Sequence, residues 1–224
     1  MTYKVLSTKI LDLESKKELN LSSYQYSEKN FIKIIPNDYY LNEIVCDSLI
    51  FTSQNAVQIF LNNLESKKYK SKKIFCVGNS TKSLLEENNF TVENCFEDSS
   101  SLAEFISKNN KSEKFLFLCG KNRLKKIEEI LSNNNVDLII KELYETKLLY
   151  KKVNNIYDCI LFYSPSGVES FIKNNFIEKS VCFCIGNTTA YSLKSLTNKI
   201  IIAKKPTVRQ LIKQVNNFYK LNYD

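Results

Sequence analysis

Short apolar runs alternate with amphipathic segments along most of the chain. Four turns that follow such runs carry the only glycines in the sequence: Gly78 after IFCV, Gly120 after FLFLC, Gly167 after ILFYSPS and Gly186 after VCFCI. Beyond each glycine, apolar residues recur three and four positions apart, which is the spacing of one helix face. Glycine permits a tight reversal because it lacks a Cβ. The pattern predicts four strand–turn–helix units, and LIFTS followed by AVQIFLNNL predicts a fifth without glycine.

Strands that alternate with helices at this spacing predict parallel βαβ units. Their crossovers are right-handed, and helices cover both faces of the sheet. Ligands of such sheets bind beyond the carboxyl ends of the strands. We therefore expect an α/β fold with its site at the strand ends.

The chain also repeats itself at a separation of about half its length. SLIFTSQNAVQIF resembles CILFYSPSGVESF, and KIFCVGNSTKSLL resembles VCFCIGNTTAYSL. A third match, SSSLAEFI with KPTVRQLI, aligns Ser101 with Thr207. Because the matches keep their order, the sequence predicts two similar α/β domains.

The remaining segments predict how these domains are connected. We expect domain II, residues 36–146, to be inserted into a discontinuous domain I, residues 1–35 plus 147–224. The extended segments FIKIIP and VDLIIKELYETKLLY would pair as a two-stranded ladder between the domains. A cleft between two domains is a common place for a ligand site.

The absence of histidine restricts the chemistry most strongly. It removes the commonest general base, every Ser-His or Cys-His nucleophile arrangement and the usual zinc ligands. Any reaction must use hydroxyls, amides, carboxylates, lysines or shape. Neither a metal nor another cofactor is expected.

Charge and cysteine content narrow the class of protein further. The net charge is +8, yet only Arg123 and Arg209 among the 32 basic residues are arginine. Proteins that bind nucleic acid favour arginine, because its guanidinium makes paired hydrogen bonds to phosphates and base edges. Compositional drift or a polyanionic small substrate explains this charge without nucleic acid. Seven cysteines without a Cys-x-x-Cys pair predict reduced thiols. An amino terminus without a signal-peptide apolar stretch and the lack of a long apolar segment predict a cytoplasmic protein that does not enter the membrane, and we expect a monomer.

Hydroxyl side chains are concentrated in the predicted strand-to-helix turns. Ser and Thr are favoured helix N-caps, so one interpretation is that they satisfy the first backbone N–H groups of each helix and do nothing else. The other interpretation is that several such helix starts at one edge bind anions. The candidates for substrate binding are Ser53, Asn79, Thr81, Ser164, Thr188, Thr189 and Thr207.

Seven motifs, in order, resemble the uroporphyrinogen-III synthase family: IFTSQNAV, VGNSTKSL, LCGKNRLKK, LYETK, FYSPSGV, CIGNTTAYSL and KPT. The resemblance extends from Lys4 to the helix after Thr207. It implies two flavodoxin-like domains joined by a two-stranded ladder, with the active site in the cleft. The implied activity is a hydro-lyase type cyclisation of hydroxymethylbilane in haem and other tetrapyrrole biosynthesis.

The resemblance also implies a route for the reaction. Loss of the terminal hydroxyl gives an azafulvene, attack by the substituted α-carbon of ring D gives a spirocyclic pyrrolenine, and fragmentation with reclosure inverts that ring. Tyr144, the tyrosine of LYETK, would donate a hydrogen bond to the departing hydroxide, and residues 121–123 would supply cations. On sequence alone, Tyr144 is equally compatible with packing in a linker strand.

Two other functions remain open at this point. A non-catalytic two-domain module could bind an anionic ligand through the same helix starts, since no obligatory catalytic group is present. A sugar-phosphate enzyme could also use turns rich in Ser and Thr on similar sheets.

Overall fold

A computed structural model describes residues 2–19, 24–41 and 44–220 of the chain. The described residues fall into two compact units, unit 1 within Met1–Lys33 plus Lys147–Asp224 and unit 2 within Ile34–Thr146. We propose that these units are the two duplicated domains with the limits given above. Parts of the predicted domains, residues 1, 20–23, 42–43 and 221–224, lie outside the described ranges.

Strands and helices alternate through both units. In chain order they are β1 (Tyr3–Ser7), α1 (Leu13–Glu18), β2 (Tyr24–Glu28), β3 (Ile32–Pro36), β4 (Ser48–Phe51), α2 (Gln54–Leu61), a 3-10 segment (Leu64–Tyr69), β5 (Lys73–Val77), α3 (Asn79–Glu87), β6 (Val92–Phe96), α4 (Ser99–Asn109), β7 (Phe115–Gly120), α5 (Lys126–Asn133), β8 (Leu138–Leu148), β9 (Cys159–Phe162), α6 (Pro165–Ile172), β10 (Val181–Cys184), α7 (Asn187–Tyr191), β11 (Ile200–Ile202) and α8 (Val208–Lys220).

Each unit is built on one sheet. The order in unit 1 is β11-β10-β9-β1-β2, and the second sheet has the order β3-β8-β7-β4-β5-β6. The pairs whose register is defined, such as β4 with β5 and β9 with β10, are parallel. This confirms the predicted fold class of two parallel α/β sheets.

The two extended segments predicted to pair, β3 and β8, are neighbours at one edge of the second sheet. β8 also pairs with β7 over most of its length. The Asn37 N–H donates to the Leu143 carbonyl and the Leu149 N–H to the Phe31 carbonyl, so β3 pairs with the end of β8 that extends beyond the partners of β7. The predicted pairing of the two segments is therefore confirmed.

Helices cover both faces of the unit 2 sheet because alternate strand residues point to opposite faces. Leu49 and Phe51 of β4 pack with α2 and α3, whereas Ile50 between them packs with α4 and α5. The strand is consequently buried on both sides, which accounts for its continuous apolar run.

Unit 1 has the same two-sided core. Ile160 and Phe162 of β9 pack with α6 and α7, and Leu161 packs with α8. The aromatic contacts repeat as well: Phe162 lies 5.4 Å from Phe171 between ring centroids, and the equivalent Phe51–Phe60 pair in unit 2 is 5.2 Å apart. The sequence repeat thus reflects a repeated core.

Candidate active site

In unit 2, two predicted site residues are brought together at the carboxyl ends of the strands. Ser53 follows β4, Tyr144 lies on β8 beside the end of β7, and parallel strands place these ends at one edge. The Ser53 hydroxyl oxygen lies 3.0 Å from the Tyr144 phenol oxygen, so the two groups share a hydrogen bond. Tyr144 is 9% exposed and also contacts the core between the sheet and α2.

Gly120 ends β7 directly against the Tyr144 ring. A Cβ on Gly120 would lie 2.6 Å from Cζ of Tyr144, far inside van der Waals contact. The register between β7 and β8 shifts between Cys119 and Gly120, which aligns Gly120 with Tyr144. The Lys121 backbone N–H then donates to the Tyr144 carbonyl at 2.8 Å.

Arg123 secures the same turn through three groups. Its guanidinium donates to Glu128 of α5 at 2.8 Å, to Glu142 of β8 at 2.7 Å and to the Gly120 carbonyl at 3.2 Å. The side chain is only 13% exposed. Its charge is therefore neutralised by carboxylates of the protein itself, and the expectation that residue 123 supplies a cation to a ligand is wrong.

The neighbouring Lys121 keeps an exposed ammonium. It lies 3.5 Å from the Glu145 carboxylate, and both side chains are at least half exposed. Exposed pairs of this kind contribute little to stability and exchange readily with water or another anion.

Ser53 and Ser164 cap equivalent helices in the two units. The Ser53 hydroxyl accepts the Ala56 N–H at 3.2 Å at the start of α2, and the Ser164 hydroxyl accepts the Gly167 N–H at 3.0 Å at the start of α6. Both residues are therefore helix N-caps. Ser53 differs because its oxygen also reaches the Tyr144 phenol.

The next helix in each unit begins at a glycine and has no side-chain cap. Gly78 precedes α3, and Gly186 precedes α7. Gly78 has φ +85°, a left-handed conformation that favours glycine, whereas the extended Gly186 is open to other residues. Backbone N–H groups at these two helix starts are thus left to other acceptors.

Thr81 and Thr189 occupy equivalent positions in α3 and α7 and are 4% and 1% exposed. Within the described ranges neither hydroxyl has a hydrogen-bond partner. Neither oxygen is among the fully buried polar atoms that lack a partner in the described ranges, so each hydroxyl remains within reach of solvent. The predicted neighbours Asn79 and Thr188 are exposed at the same helix starts.

Thr207 caps α8 in unit 1, where its hydroxyl accepts the Gln210 N–H at 3.2 Å. The equivalent cap of α4 in unit 2 is Asp98, whose carboxylate accepts the N–H groups of Ser100 and Ser101. The predicted alignment of Ser101 with Thr207 is therefore wrong by three positions. Thr207 is a helix cap, its counterpart is Asp98, and Ser101 already lies inside α4.

Unit 1 contains a second hydroxyl pair that the sequence patterns did not reveal. The Ser7 hydroxyl at the end of β1 lies 3.0 Å from the Tyr163 phenol, and burial raises the pKa of Tyr163. Tyr163 directly precedes Ser164 and so lies in a predicted strand-to-helix turn. This position was the one sequence feature that could have identified Tyr163 as a candidate.

The carboxylate of Glu28, at the end of β2, is held close to this pair. It accepts hydrogen bonds from the Lys16 ammonium, the Leu11 N–H and the Tyr26 phenol. Burial disfavours its charge, but these three donors outweigh burial and lower the pKa of Glu28. The group therefore clamps the loop after β1.

Six of the seven cysteines are buried, and Cys95 is partly exposed. Burial raises the pKa of Cys46, and it raises the pKa of Cys119, Cys182 and Cys184 to about 12. These thiols stay protonated at neutral pH.

Over residues 2–19, 24–41 and 44–220, no three Cys, Asp or Glu side chains gather closely enough to hold a metal ion. None of the helices in these ranges is long and apolar enough to cross a membrane.

Solved structures of similar fold extend over nearly the whole chain. A uroporphyrinogen-III synthetase from Helicobacter pylori matches with a TM-score of 0.69, 21% identity, 97% coverage of this chain and 100% of that chain. A mutant uroporphyrinogen III synthase from the extremely thermophilic bacterium Thermus thermophilus matches with a TM-score of 0.70, 10% identity, and coverage of 98% and 99%. At these identities the likeness establishes the fold. No curated protein sequence matches this chain.

The family model described as uroporphyrinogen-III synthase HemD matches residues 16–213, which cover all of unit 2, most of unit 1 and every predicted site residue. The chain therefore belongs to the uroporphyrinogen-III synthase family.

Proposed function

We propose that this chain acts as a uroporphyrinogen-III synthase in which Tyr144 assists the chemistry and the duplicated helix starts bind the substrate. The substrate is hydroxymethylbilane, a linear tetrapyrrole, and the product has ring D inverted. Family membership supports the reaction. The observation that carries the residue assignment is the hydroxyl pair of Ser53 and Tyr144 at the strand-end edge.

Substrate recognition rests on features present in both units. The bilane carries eight carboxylates, and uncapped helix starts with nearby hydroxyls suit such groups. Thr81 and Thr189 contribute hydroxyl donors, with Asn79 and Thr188 beside them at the surface. Ser53, Ser164 and Thr207 already accept backbone N–H groups. Ser164 and Thr207 each still have a hydroxyl proton to donate, whereas the Ser53 proton is donated to the Tyr144 oxygen, so Ser53 acts on the substrate through that phenol.

Tyr144 supports the first chemical step. The carbon–oxygen bond to the terminal hydroxyl breaks, the pyrrole nitrogen lone pair forms the azafulvene, and hydroxide leaves. The Tyr144 phenol donates a hydrogen bond to that departing oxygen, oriented by its contact with Ser53. A phenol in this role stabilises developing negative charge without ionising itself.

The later steps depend on conformation more than on acid or base groups. The substituted α-carbon of ring D attacks the azafulvene carbon to give a spirocyclic pyrrolenine, which fragments and closes again with the ring inverted. Free in solution, the bilane closes at its unsubstituted α-position and gives the I isomer. Holding the chain bent is therefore the main catalytic task, which a protein without histidine can perform.

The same proposal assigns the protein to the cytoplasm as a monomer. The buried, protonated thiols fit a reducing compartment. Family membership does not favour the alternative of a non-catalytic anion-binding module.

The test uses freshly prepared hydroxymethylbilane and separates the isomers of the product. Wild-type protein should yield isomer III, and Tyr144→Phe should lower kcat by about 10- to 100-fold while leaving the fold intact, because only the hydrogen-bond donor is lost. Exclusive formation of isomer I by the wild type would reject the activity. An unchanged kcat for Tyr144→Phe would reject the role of the phenol.

A further inference from the structure

We infer that Gly120 is a positioning residue for Tyr144: the missing side chain at the end of β7 fixes where the phenol of β8 stands. The inference rests on the proposed role of Tyr144.

The first observation is how closely the ring covers Gly120. A Cβ there would lie 2.6 Å from Cζ, 2.8 Å from Cε2 and 2.9 Å from the phenol oxygen of Tyr144. These atoms form the hydroxyl end of the ring, the part that would meet the substrate. Any residue other than glycine would therefore displace the hydroxyl itself.

The second observation is that the backbone on both sides of this contact is held. The Lys121 N–H donates to the Tyr144 carbonyl at 2.8 Å, and Arg123 ties the Gly120 carbonyl to Glu142 of β8. The strands therefore cannot separate easily to admit a methyl group. A side chain end yields more readily than paired backbone, so the ring should move and the sheet should stay.

The third observation is that a displaced Tyr144 ring would lose its hydrogen bond to Ser53. The Tyr144 phenol oxygen lies 3.0 Å from the Ser53 hydroxyl, near the outer limit of a good O–H···O bond. A small rotation of the ring away from Gly120 breaks this contact. Gly120 thus sets the ring position, and Ser53 sets the direction of the hydroxyl.

Position 120 requires glycine because of the neighbouring ring and not because of its own backbone conformation. Gly120 has no positive φ, in contrast to Gly78 at φ +85°. Alanine is therefore allowed by the backbone at position 120, and its effect reports on the ring alone.

The experiment is a double-mutant cycle of Gly120→Ala and Tyr144→Phe, measured as kcat and KM with hydroxymethylbilane. Gly120→Ala should lower kcat by about tenfold and change KM by less than about twofold, since a displaced donor acts in the transition state. In the Tyr144→Phe background, the same alanine should change kcat by less than about twofold, because the group it displaces is already gone. The phenylalanine ring meets the same methyl group, so a general structural effect would instead multiply in both backgrounds.

A spectroscopic readout accompanies the kinetics. With ¹³Cζ-labelled tyrosine, the signal missing in Tyr144→Phe identifies Tyr144, and Gly120→Ala should shift it while leaving most other tyrosine signals in place. Gly186→Ala is the control for stability: its added Cβ meets only Pro206 at 3.9 Å, so its free energy of unfolding should match the wild type.

A second route avoids the clash altogether. Ser53→Ala should lower kcat and lose one cap of α2, whereas Ser53→Thr keeps the hydroxyl and should restore kcat. Ser164→Ala removes the equivalent cap of α6 and measures what cap loss alone does to stability.

The outcomes separate this inference from the proposed function. The positioning role is overturned if Tyr144→Phe lowers kcat but Gly120→Ala does not. It is also overturned if the two reductions in kcat multiply in the double variant. Either result leaves the catalytic role of Tyr144 in place. A Tyr144→Phe enzyme as fast as wild type overturns the proposed role of the phenol whatever Gly120→Ala does. An unshifted Tyr144 signal in Gly120→Ala overturns the positioning role on its own.

Discussion

The two units share their helix starts but differ in the phenols that lie beside them. Ser53 and Ser164 cap equivalent helices, and Thr81 and Thr189 occupy equivalent buried positions. The tyrosine that meets Ser53 comes from β8, outside the repeated segments. The repeat therefore gives two similar edges at which we propose that substrate carboxylates bind, while the proposed chemistry belongs to unit 2 alone.

The hydroxyl pair of unit 1 emphasises this difference. Tyr163 pairs with Ser7 and not with Ser164, the helix cap that corresponds to Ser53. Its neighbour Glu28 is held by Lys16 and the backbone of Leu11. Polar groups at this edge of unit 1 are thus occupied by contacts that fix a loop.

The largest expected effect tests whether the two cores are equivalent. Phe51→Ala and Phe162→Ala should each lower the free energy of unfolding of the unit that carries it by about 3–5 kcal/mol, because each leaves a cavity beside a partner ring. Urea denaturation gives the size of the loss, and hydrogen exchange shows which strands lose protection. Leu in place of either Phe is the milder control. A large loss in one unit and a negligible one in the other would break the equivalence.

A smaller effect tests whether both edges bind substrate. Thr81→Val and Thr189→Val should each raise KM by about tenfold, since a hydrogen bond to a carboxylate contributes about 1.5–3 kcal/mol. Because neither hydroxyl has a partner in the described chain, stability should be unchanged or slightly higher. Thr→Ser at the same positions keeps the hydroxyl and is the control. A rise in KM for only one valine variant would assign recognition to that unit.

The smallest effect sharpens the contrast between the caps of α4 and α8. Asp98→Ala and Thr207→Ala should each cost about 1 kcal/mol of unfolding free energy at neutral pH. Hydrogen bonds from Ser101 lower the pKa of Asp98 below 3.8, so its contribution is complete above that value and is lost as the pH falls through the lowered pKa. The loss in Asp98→Ala should therefore shrink in acid, whereas the loss in Thr207→Ala should not. Urea denaturation across this range measures both, and parallel pH profiles would contradict the assignment.

Local patterns were sufficient for much of the fold. Apolar runs ending in turn residues predicted β4, β5, β7, β9 and β10, because strands buried on both faces carry few polar residues. Strand β6, VENCF, carries polar residues among apolar ones and gave no such run. The helix predicted after Gly120 begins at Lys126, and Arg123 in the turn before it donates to Glu142 of β8.

Contacts between distant residues were not predictable in this way. Ser7 and Tyr163 are 156 positions apart, and Ser53 and Tyr144 are 91 apart. Residue types identified Ser53 as a helix cap, and a family resemblance drew attention to Tyr144. Their hydrogen bond and the closeness of Gly120 depend on strand order and register, which no periodicity encodes.

The buried cysteines have a consequence for a protein that handles an azafulvene. This intermediate is an electrophile, and a thiolate within its reach would form a stable thioether and inactivate the protein. Cys119, in the strand that ends beside Tyr144, has its pKa raised to about 12 by burial and is 1% exposed. Its sulfur is therefore a poor nucleophile, which suits a strand that ends beside the proposed position of the reactive carbon.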